Sequence, residues 1–536
     1  MTGGPWVVHP YGERAVLIEW PDPAGIDSLR AVLRRHPLAG QVDLVSGART
    51  LLVRLDGPAR VAEARQALPT LLRSTAPGPD PVRGDPELNG SFGSDPVVVD
   101  TIYDGEDLEE VGRLTGLGAA GVTAAHAGGR WTVAFAGFAP GFGYLTGGDP
   151  RLQVVRRPTA RTRVPAGAVG LAGEFSGVYP RDSPGGWQLI GRTDAALWRP
   201  DRDPPALLRP GMRVRFRAVE RFVDRPEPVE GETSEPDGHG RVGLLVLRPG
   251  LFTTVQDLGR PGQADLGVGR SGAADRGAAA RANATVGNPV GAALLETVLG
   301  GLTVRARGEQ VLALAGALGP ARIGTETDEL QNEADQADAG AFDLPDGAEL
   351  RLSTPASGLR GYLAVRGGIE VPPVLGSRST DQLSGLGPAP LRAGDLLPVG
   401  AGRPNPRAAE RGPPRGPVPT AGPVELAVLP GPRSDWFTAA ARRRLTGETF
   451  TVDPRSNRVG LRLNGPALAR TGSGELPPEG LVPGAIQVPP DGQPVLLLAD
   501  HPVTGGYPVI GVLTDAAIDR AAQLRPGQTV RFAWTS

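Results

Sequence analysis

The sequence predicts a mainly β protein with some helix: two related β-barrels preceded by a small α+β module. Three observations predict it. First, SPGGWQLIGRTDAALW at 183–198 returns as VTGGYPVIGVLTDAAI at 503–518. Its surroundings return as well: RVPAGAVGLAG and LLRPGMRVRF flank the first copy, LVPGAIQVPPDG and QLRPGQTVRF the second. Landmarks in one order at similar spacing signify a duplicated unit, with Arg-Pro-Gly as the turn before its last strand. Second, from Val97 onward short β-rich runs are broken every few residues by Gly or Pro, the texture of an all-β barrel. Third, FVDRPEPVEGETSEPDGHGR at 222–241 is acidic, Pro-rich and aperiodic, as an inter-domain linker is. Sibling barrels that pack together leave a cleft, a favoured place for a ligand. Gly185 and Gly505 are therefore expected at matching rims that face a shared pocket.

In chain order, residues 1–80 alternate between strand and helix patterns. WVVHPYGERAVLIEW reads as two strands around a turn, IDSLRAVLRRHP as a helix, VDLVSGARTLLVRL as a hairpin and VAEARQALPTLLRS as a second amphipathic helix. The Pro/Gly-rich segment 75–96 is a connector, and 95–221 forms the first barrel, with EDLEEVGRLTG and GVTAAHAG as its helical exceptions. After the linker, 242–536 is the second half and holds one or more barrels. A Pro/Arg/Gly tract at 402–423 divides it.

Composition excludes several chemistries. With 536 residues the chain is too long for one core. Lys+Arg 56 against Asp+Glu 58 leaves a net charge of −2, which is no footprint for nucleic acid. There is no cysteine, hence no disulfide, thiolate nucleophile or Cys-bound zinc. There is also no lysine: every basic residue is arginine, so a P-loop lysine, a PLP Schiff base and a biotinyl-lysine are all impossible on this chain. Phosphate contacts fall to arginine, backbone N–H groups or a metal. No secretory signal pattern and no apolar run of membrane-spanning length is present, and a cytoplasmic protein free of the membrane is expected.

Several segments can carry chemistry, each with a plain structural alternative beside it. His126, on a short helix, is one of five histidines and a candidate for proton transfer near neutrality, although a lone histidine is more often structural. FAGFAPGFGYLTGGDPRL at 135–152 reads as a tight Gly/Pro corner packed by aromatics. GEFSGVYPRDSPGGW at 173–187 gathers Glu174, Tyr179, Arg181, Asp182 and Ser183 in a loop able to face an anion. GVGRSGAADRGAAARANATVGN at 267–288 starts as a Gly-rich turn and continues as an Ala-rich helix. Ser271 is the expected N-cap, helped by Asp275, with Arg270 beside an anion-friendly helix start. LGSRSTDQLSG at 375–385 lines up Arg378, Ser379, Thr380 and Asp381, suited to a carboxylate or phosphate. ADHPVTGGYP at 499–508 sets Asp500, His501, Thr504 and Tyr507 at the repeated turn. No HExxH, GxSxG or CxxC signature occurs, so these residues by themselves name no reaction.

Taken together the motifs resemble a pair of families. GFAPGF, RVPAGAVGLAG, GVYP and SPGGWQLIGRT are similar to the allophanate-hydrolase-subunit-1 family (Kip inhibitor type), over about 1–221. GLFTTVQDLGRPG, SGAADRGAAARAN, YLAVRGGI, VLGSRSTDQLSGLG, RSNRVGLRLNG, GAIQVPPDGQPVLLLAD and TGGYP resemble the subunit-2 family, over about 241–536. The resemblance implies cyclophilin-like barrels and a fusion of the B and C subunits of the ATP-dependent 5-oxoprolinase. That enzyme opens the 5-oxoproline (pyroglutamate) lactam to L-glutamate, with ATP and Mg2+ and, as partner, a third subunit of the LamB/YcsF type. It also implies two alternatives: the carboxyltransferase part of a urea carboxylase/allophanate system, or a module inhibiting a sensor histidine kinase. Polar residues inside the matched motifs are the expected site: His126, Asp257, Asp500 and Tyr507 for catalysis. For substrate or phosphate binding they are Ser183, Arg192, Arg260, Arg270, Ser271, Arg378, Ser379, Thr380, Gln487 and Thr504. No metal ligand is assigned, and homo-oligomerisation is left open. The chain departs from the pattern at Gly143, Pro478, Pro502 and Val503, and roles of side chains missing there do not transfer.

Overall fold

The computed structural model describes residues 6–75, 95–159, 161–222, 242–324, 332–334, 340–401, 422–472 and 476–535. The connectors expected at 75–96, 222–241 and 402–423 fall almost entirely outside the described residues, as does His239.

The N-terminal module is a four-stranded antiparallel sheet, Val7–Pro10, Ala15–Glu19, Thr50–Leu55 and Gln41–Ser46 in that order. Two helices, Pro23–Arg35 and Pro58–Thr75, belong to it. Alternation along the strands gives the sheet two apolar faces. Val16, Ile18, Leu51 and Val53 pack with Ile26, Leu29, Leu33 and Leu68 of the helices. Ala15, Leu17, Val45 and Leu52 point the other way and share a core with Leu481, Val482, Leu497, Val503, Val509 and Val512, near the opposite end of the chain. Full burial of an aliphatic side chain contributes about 1.5–3 kcal/mol, so this second face seats the module firmly on the C-terminal barrel.

The first barrel is a seven-stranded sheet that runs from Gln188–Arg192 to Val97–Thr101. A single bridge between Ile102 and Arg192 joins its two edges. The C-terminal barrel, from Val424–Pro430 to Thr529–Trp534, is fully closed. The two correspond strand for strand. In each, the last strand pairs parallel with the first: Arg213–Ala218 with Val97–Thr101, and Thr529–Trp534 with Val424–Pro430. Gly185 lies on a short ribbon strand paired with Arg161–Val164, and Gly505 on one paired with Glu479–Gly480. The repeated sequence thus encodes a repeated fold.

Between the barrels in sequence stands a β unit that the sequence did not resolve from the rest of its half. Its six-stranded and five-stranded sheets enclose one core, including Leu244, Val246, Leu295, Val304, Leu312, Leu350 and Leu363. The helix Arg276–Thr285 covers the outer side of the five-stranded sheet through Ala278, Ala279 and Ala282 against Leu294, Ala313 and Tyr362. Its N-cap is Asp275, whose carboxylate accepts from Ala278 N; Ser271, the expected cap, lies upstream and has another task. Among the described residues no helix is long and apolar enough to cross a membrane.

The first barrel docks through its aromatic corner. Phe138, with φ at 63°, donates its N–H to Thr504 Oγ1 at 3.2 Å, and Gly141 N donates to Leu266 O at 3.0 Å. A Cβ on Gly137 would stand 2.0 Å from Thr504 Oγ1. Overpacking of this kind costs about 1–3 kcal/mol. Gly137→Ala should lower the denaturation midpoint accordingly, and Gly137→Ala with Thr504→Gly should recover most of the loss. An unchanged midpoint in the single variant would show that this seam does not hold the halves together.

Candidate functional site

The expected cleft between the two barrels is not where the cavity lies, because the Thr504 corner is filled by Gly137 and Phe138 of the first barrel. A cavity of about 210 Å3 opens instead where the N-terminal module, the start of the helix Arg276–Thr285 and the C-terminal barrel meet. Tyr11 to Ala15, Val42 and Arg54 come from the module; Arg270, Ser271 and Arg276 from the middle unit; Val482, Ala499, Val512, Asp515, Ile518 and Asp519 from the barrel. Among the described residues none of the first barrel lines it.

Its electrostatics are unusual. Arg54, Arg270 and Arg276 are half-buried in the wall, and no ion pair to any of them occurs among the described residues. Arg270 Nε donates to Leu258 O at 3.0 Å, and Arg276 Nη2 reaches the same oxygen at 3.5 Å. Burial, followed by the neighbouring guanidiniums, lowers Arg270 to about 9 and Arg276 to about 10. Arg54 is lowered by burial against an opposing pull from Asp43. The acidic groups of the wall are engaged. Arg14 pairs with Asp515, and Glu13 accepts from Asp515 N at 2.6 Å. Asp519 accepts from the N–H groups of Arg276 and Gly277 at 2.9 and 3.1 Å. Burial and the nearby Asp275 push its carboxyl up to about 7.

Behind the cavity runs a buried ionic chain. Ser271, at φ 56°, donates its hydroxyl to Asp500 Oδ1 at 2.6 Å. A non-glycine residue in this left-handed region is held there by its surroundings. Arg458 grips Asp500 through Nε to Oδ2 at 2.9 Å and Nη2 to Oδ1 at 3.0 Å. Its Nη1 pairs with Glu296, and Nη2 also donates to Gly272 O at 2.6 Å. Glu296 in turn accepts from Tyr362 OH at 2.8 Å and Ala274 N at 2.9 Å. Burial alone would raise Glu296, but Arg458 and Arg360 outweigh it and hold the carboxyl ionised. The chain fixes Ser271 and the turn before the helix, and so places Arg270 and Arg276.

A second cluster is structural. Asp257 accepts from Gly259 N, Ser377 Oγ and Arg378 N, each at 2.7 Å, and from Ser379 Oγ at 2.5 Å. Three of these bonds come from the 377–379 loop, which the carboxylate anchors. Arg260, fully buried, donates to Ser379 O and lies 3.5 Å from Asp381. Thr380 Oγ1 donates to Pro388 O at 2.8 Å, and Arg378 Nε to Val371 O at 2.8 Å.

Of the residues expected from sequence, Arg270 and Ser271 line the cavity and Asp500 stands one hydrogen bond behind it. The others are placed elsewhere. His126 is fully buried in the first barrel, with Tyr103 OH and Ser176 Oγ each 2.7 Å from its ring nitrogens. Burial lowers it to about 3, so it stays neutral and cannot shuttle a proton near pH 7. Tyr507 is 44% exposed, and its carbonyl accepts from Gln487 Nε2 at 3.1 Å. Arg192 pairs with Asp104 at 2.9 Å on the surface, and Ser183 Oγ donates to Arg181 O at 3.4 Å. Thr504 closes the seam described above. Sequence reasoning missed Arg54, Arg276, Asp519, Arg458 and Glu296. One signal was available: Arg54 interrupts an otherwise apolar strand, TLLVRL.

Two family models match this chain. The carboxyltransferase domain, subdomains C and D, matches residues 6–208, and the carboxyltransferase domain, subdomains A and B, matches residues 266–534. The chain is 38% identical over 298 residues to the 5-oxoprolinase C subunit of Escherichia coli (strain K12), covering 55% of this chain and 91% of that protein. It is 46% identical over 123 residues to the 5-oxoprolinase B subunit of Bacillus subtilis (strain 168), covering 22% of this chain and 51% of that protein. The crystal structure of TTHA0988 superposes with a TM-score of 0.79 at 36% identity, covering 98% of this chain and 99% of that one. The chain belongs to the carboxyltransferase-domain family, as one polypeptide in which a part like the 5-oxoprolinase B subunit is fused to a part like its C subunit.

Proposed function

We propose that the chain is the B–C component of an ATP-dependent 5-oxoprolinase, which opens the lactam of 5-oxoproline to L-glutamate together with a third, LamB/YcsF-type subunit in the cytoplasm. The observation that carries this reading is the cavity: the B-like part supplies Arg54 and the C-like part supplies Arg270, Ser271, Arg276 and Asp519. An anion-binding site that needs both parts explains why fusing them is useful. An unstrained lactam is a poor electrophile; transfer of the ATP γ-phosphoryl group to the amide oxygen activates the carbonyl carbon for attack by water. The C–N bond of the adduct breaks as the ring nitrogen takes up a proton, and the acyl phosphate left behind is hydrolysed to L-glutamate and phosphate. In this reading the arginines hold the substrate carboxylate and Ser271, held by Asp500, orients the lactam. Asp519, titrating near neutrality, exchanges a proton with the ring nitrogen. Among the described residues no group of three or more His, Asp or Glu converges to hold a metal. Mg2+ enters this reading as the counter-ion of ATP.

The test is to combine the purified chain with a LamB/YcsF-type protein, ATP, Mg2+ and 5-oxoproline. Glutamate and ADP are expected in equal amounts, and neither without the partner protein. No turnover with the cognate partner would overturn the reading. A second reading follows from the matched models, both described as carboxyltransferase domains. With no lysine to carry biotin, the chain would need a separate biotinylated carrier. ATP-dependent carboxylation of urea in the presence of such a carrier would favour it.

A further inference from the structure

The cavity wall holds more positive charge than one carboxylate answers. Arg54 comes from a strand of the N-terminal module and Arg270 and Arg276 from the turn and helix start of the middle unit, and each guanidinium depresses the others' charged state or is depressed by burial. Like charges drawn together without ion-pair partners cost stability in the empty protein. Their acidic neighbours offset this only in part: Asp515 and Asp519 favour the charged form of Arg276, but Asp515 is paired with Arg14, and burial with Asp275 pushes the Asp519 carboxyl up to about 7. Asp43, beside Arg54 on the neighbouring strand, is committed to the N–H groups of Leu44 and Gly262. His501, close enough to be affected by Arg54 and Arg276, is kept neutral by burial. The volume, about 210 Å3, lies below the ~300–1,000 Å3 that drug-sized ligands occupy.

We propose that this cavity is a binding site for a small anion carrying at least two negative charges, a phosphate-type oxyanion or a short dicarboxylate, held by Arg54, Arg270 and Arg276 and too confined for a nucleotide. The inference goes beyond the reaction proposed above, because 5-oxoproline carries a single charge, and it stands whether or not that reaction is the right one. Three arginines converging on one anion give charge-assisted, directional contacts of the strongest ordinary kind.

The experiment uses the full chain and four probes, each in calorimetric titration at constant ionic strength: orthophosphate, L-glutamate, succinate and ATP. Orthophosphate or a dicarboxylate should bind, the preference between them identifying the source of the charge. Arg54→Met should weaken that binding tenfold or more. The same variant should also raise the thermal midpoint of the ligand-free protein, since it removes an unpaired cation while keeping the aliphatic stem. An arginine with only a structural task would lower it. Binding by none of the small anions, or unchanged affinity in both Arg54→Met and Arg270→Met, would overturn the proposal. ATP binding that is lost in Arg54→Met would overturn the size limit. Binding of phosphate by the chain, together with no turnover of 5-oxoproline when the cognate LamB/YcsF-type partner, ATP and Mg2+ are supplied, would sink the proposed reaction and leave this site standing.

Discussion

Replacing Arg458 by methionine should destabilise the protein by about 3–5 kcal/mol, the cost of leaving buried charge without its partner. Arg458, Asp500 and Glu296 are only 3%, 1% and 2% exposed, so water cannot take over the carboxylates once the guanidinium is gone. Attraction to both carboxylates raises Arg458 above its ordinary range even though burial opposes it. The effect should be read as a fall in the denaturant midpoint. Adding Glu296→Gln and Asp500→Asn to Arg458→Met should return part of the loss, since the stranded charges vanish with the cation. Arg455→Met, which breaks the pair to Asp453 on an exposed arginine, should leave the midpoint where it is. Equal midpoints for Arg458→Met and wild type would mean that the chain behind Ser271 is not what holds the cavity wall.

Asp257→Ala should cost roughly 3 kcal/mol or more, since hydrogen bonds to a charged acceptor are worth about 1.5–3 kcal/mol each and four are lost together. The loop 377–379 leans on this anchor above all: Ser377, Arg378 N and Ser379 all turn toward that one carboxylate, with Arg260 on Ser379 O beside them. Hydrogen exchange at the Arg378 and Gly259 amides should accelerate in the variant, and buried Arg260 should lose its fixed contact with Ser379 O. Arg378→Ala removes a single bond to Val371 O and should keep wild-type exchange at the same amides. Any loss of turnover in Asp257→Ala would then trace to the loop. Protected amides in the alanine variant would return Asp257 to the list of reacting groups.

The duplication, the N-terminal module and the class of fold are all written locally in the chain. A barrel strand and its turn are local signals, alternation and Gly/Pro punctuation, and a repeated set of them can be compared within one chain. Thus Gly185 and Gly505 fall at equivalent ribbon positions, and the module's two hairpins and two helices stand where periodicity set them. The site was legible only in pieces. Arg270 and Ser271 announced themselves through a glycine-rich turn before a helix, but His126 carries a chemistry-bearing side chain whose capacity burial removes, and Asp257 anchors a loop away from the cavity. Nothing local distinguishes a buried neutral histidine from a poised one.

Which surfaces meet is a matter of long-range packing. The module lays one face of its sheet on the C-terminal barrel through Leu17, Leu52, Leu481 and Val512, and that contact brings Arg54 to Arg270, Arg276 and Asp519. The twin rims, expected to frame the pocket, are closed by Thr504 against Gly137. Apolar faces of similar size can be matched in more than one way, and shape complementarity over the whole interface selects one. The position of charges far apart in the chain follows from that choice, and no periodicity within any segment encodes it.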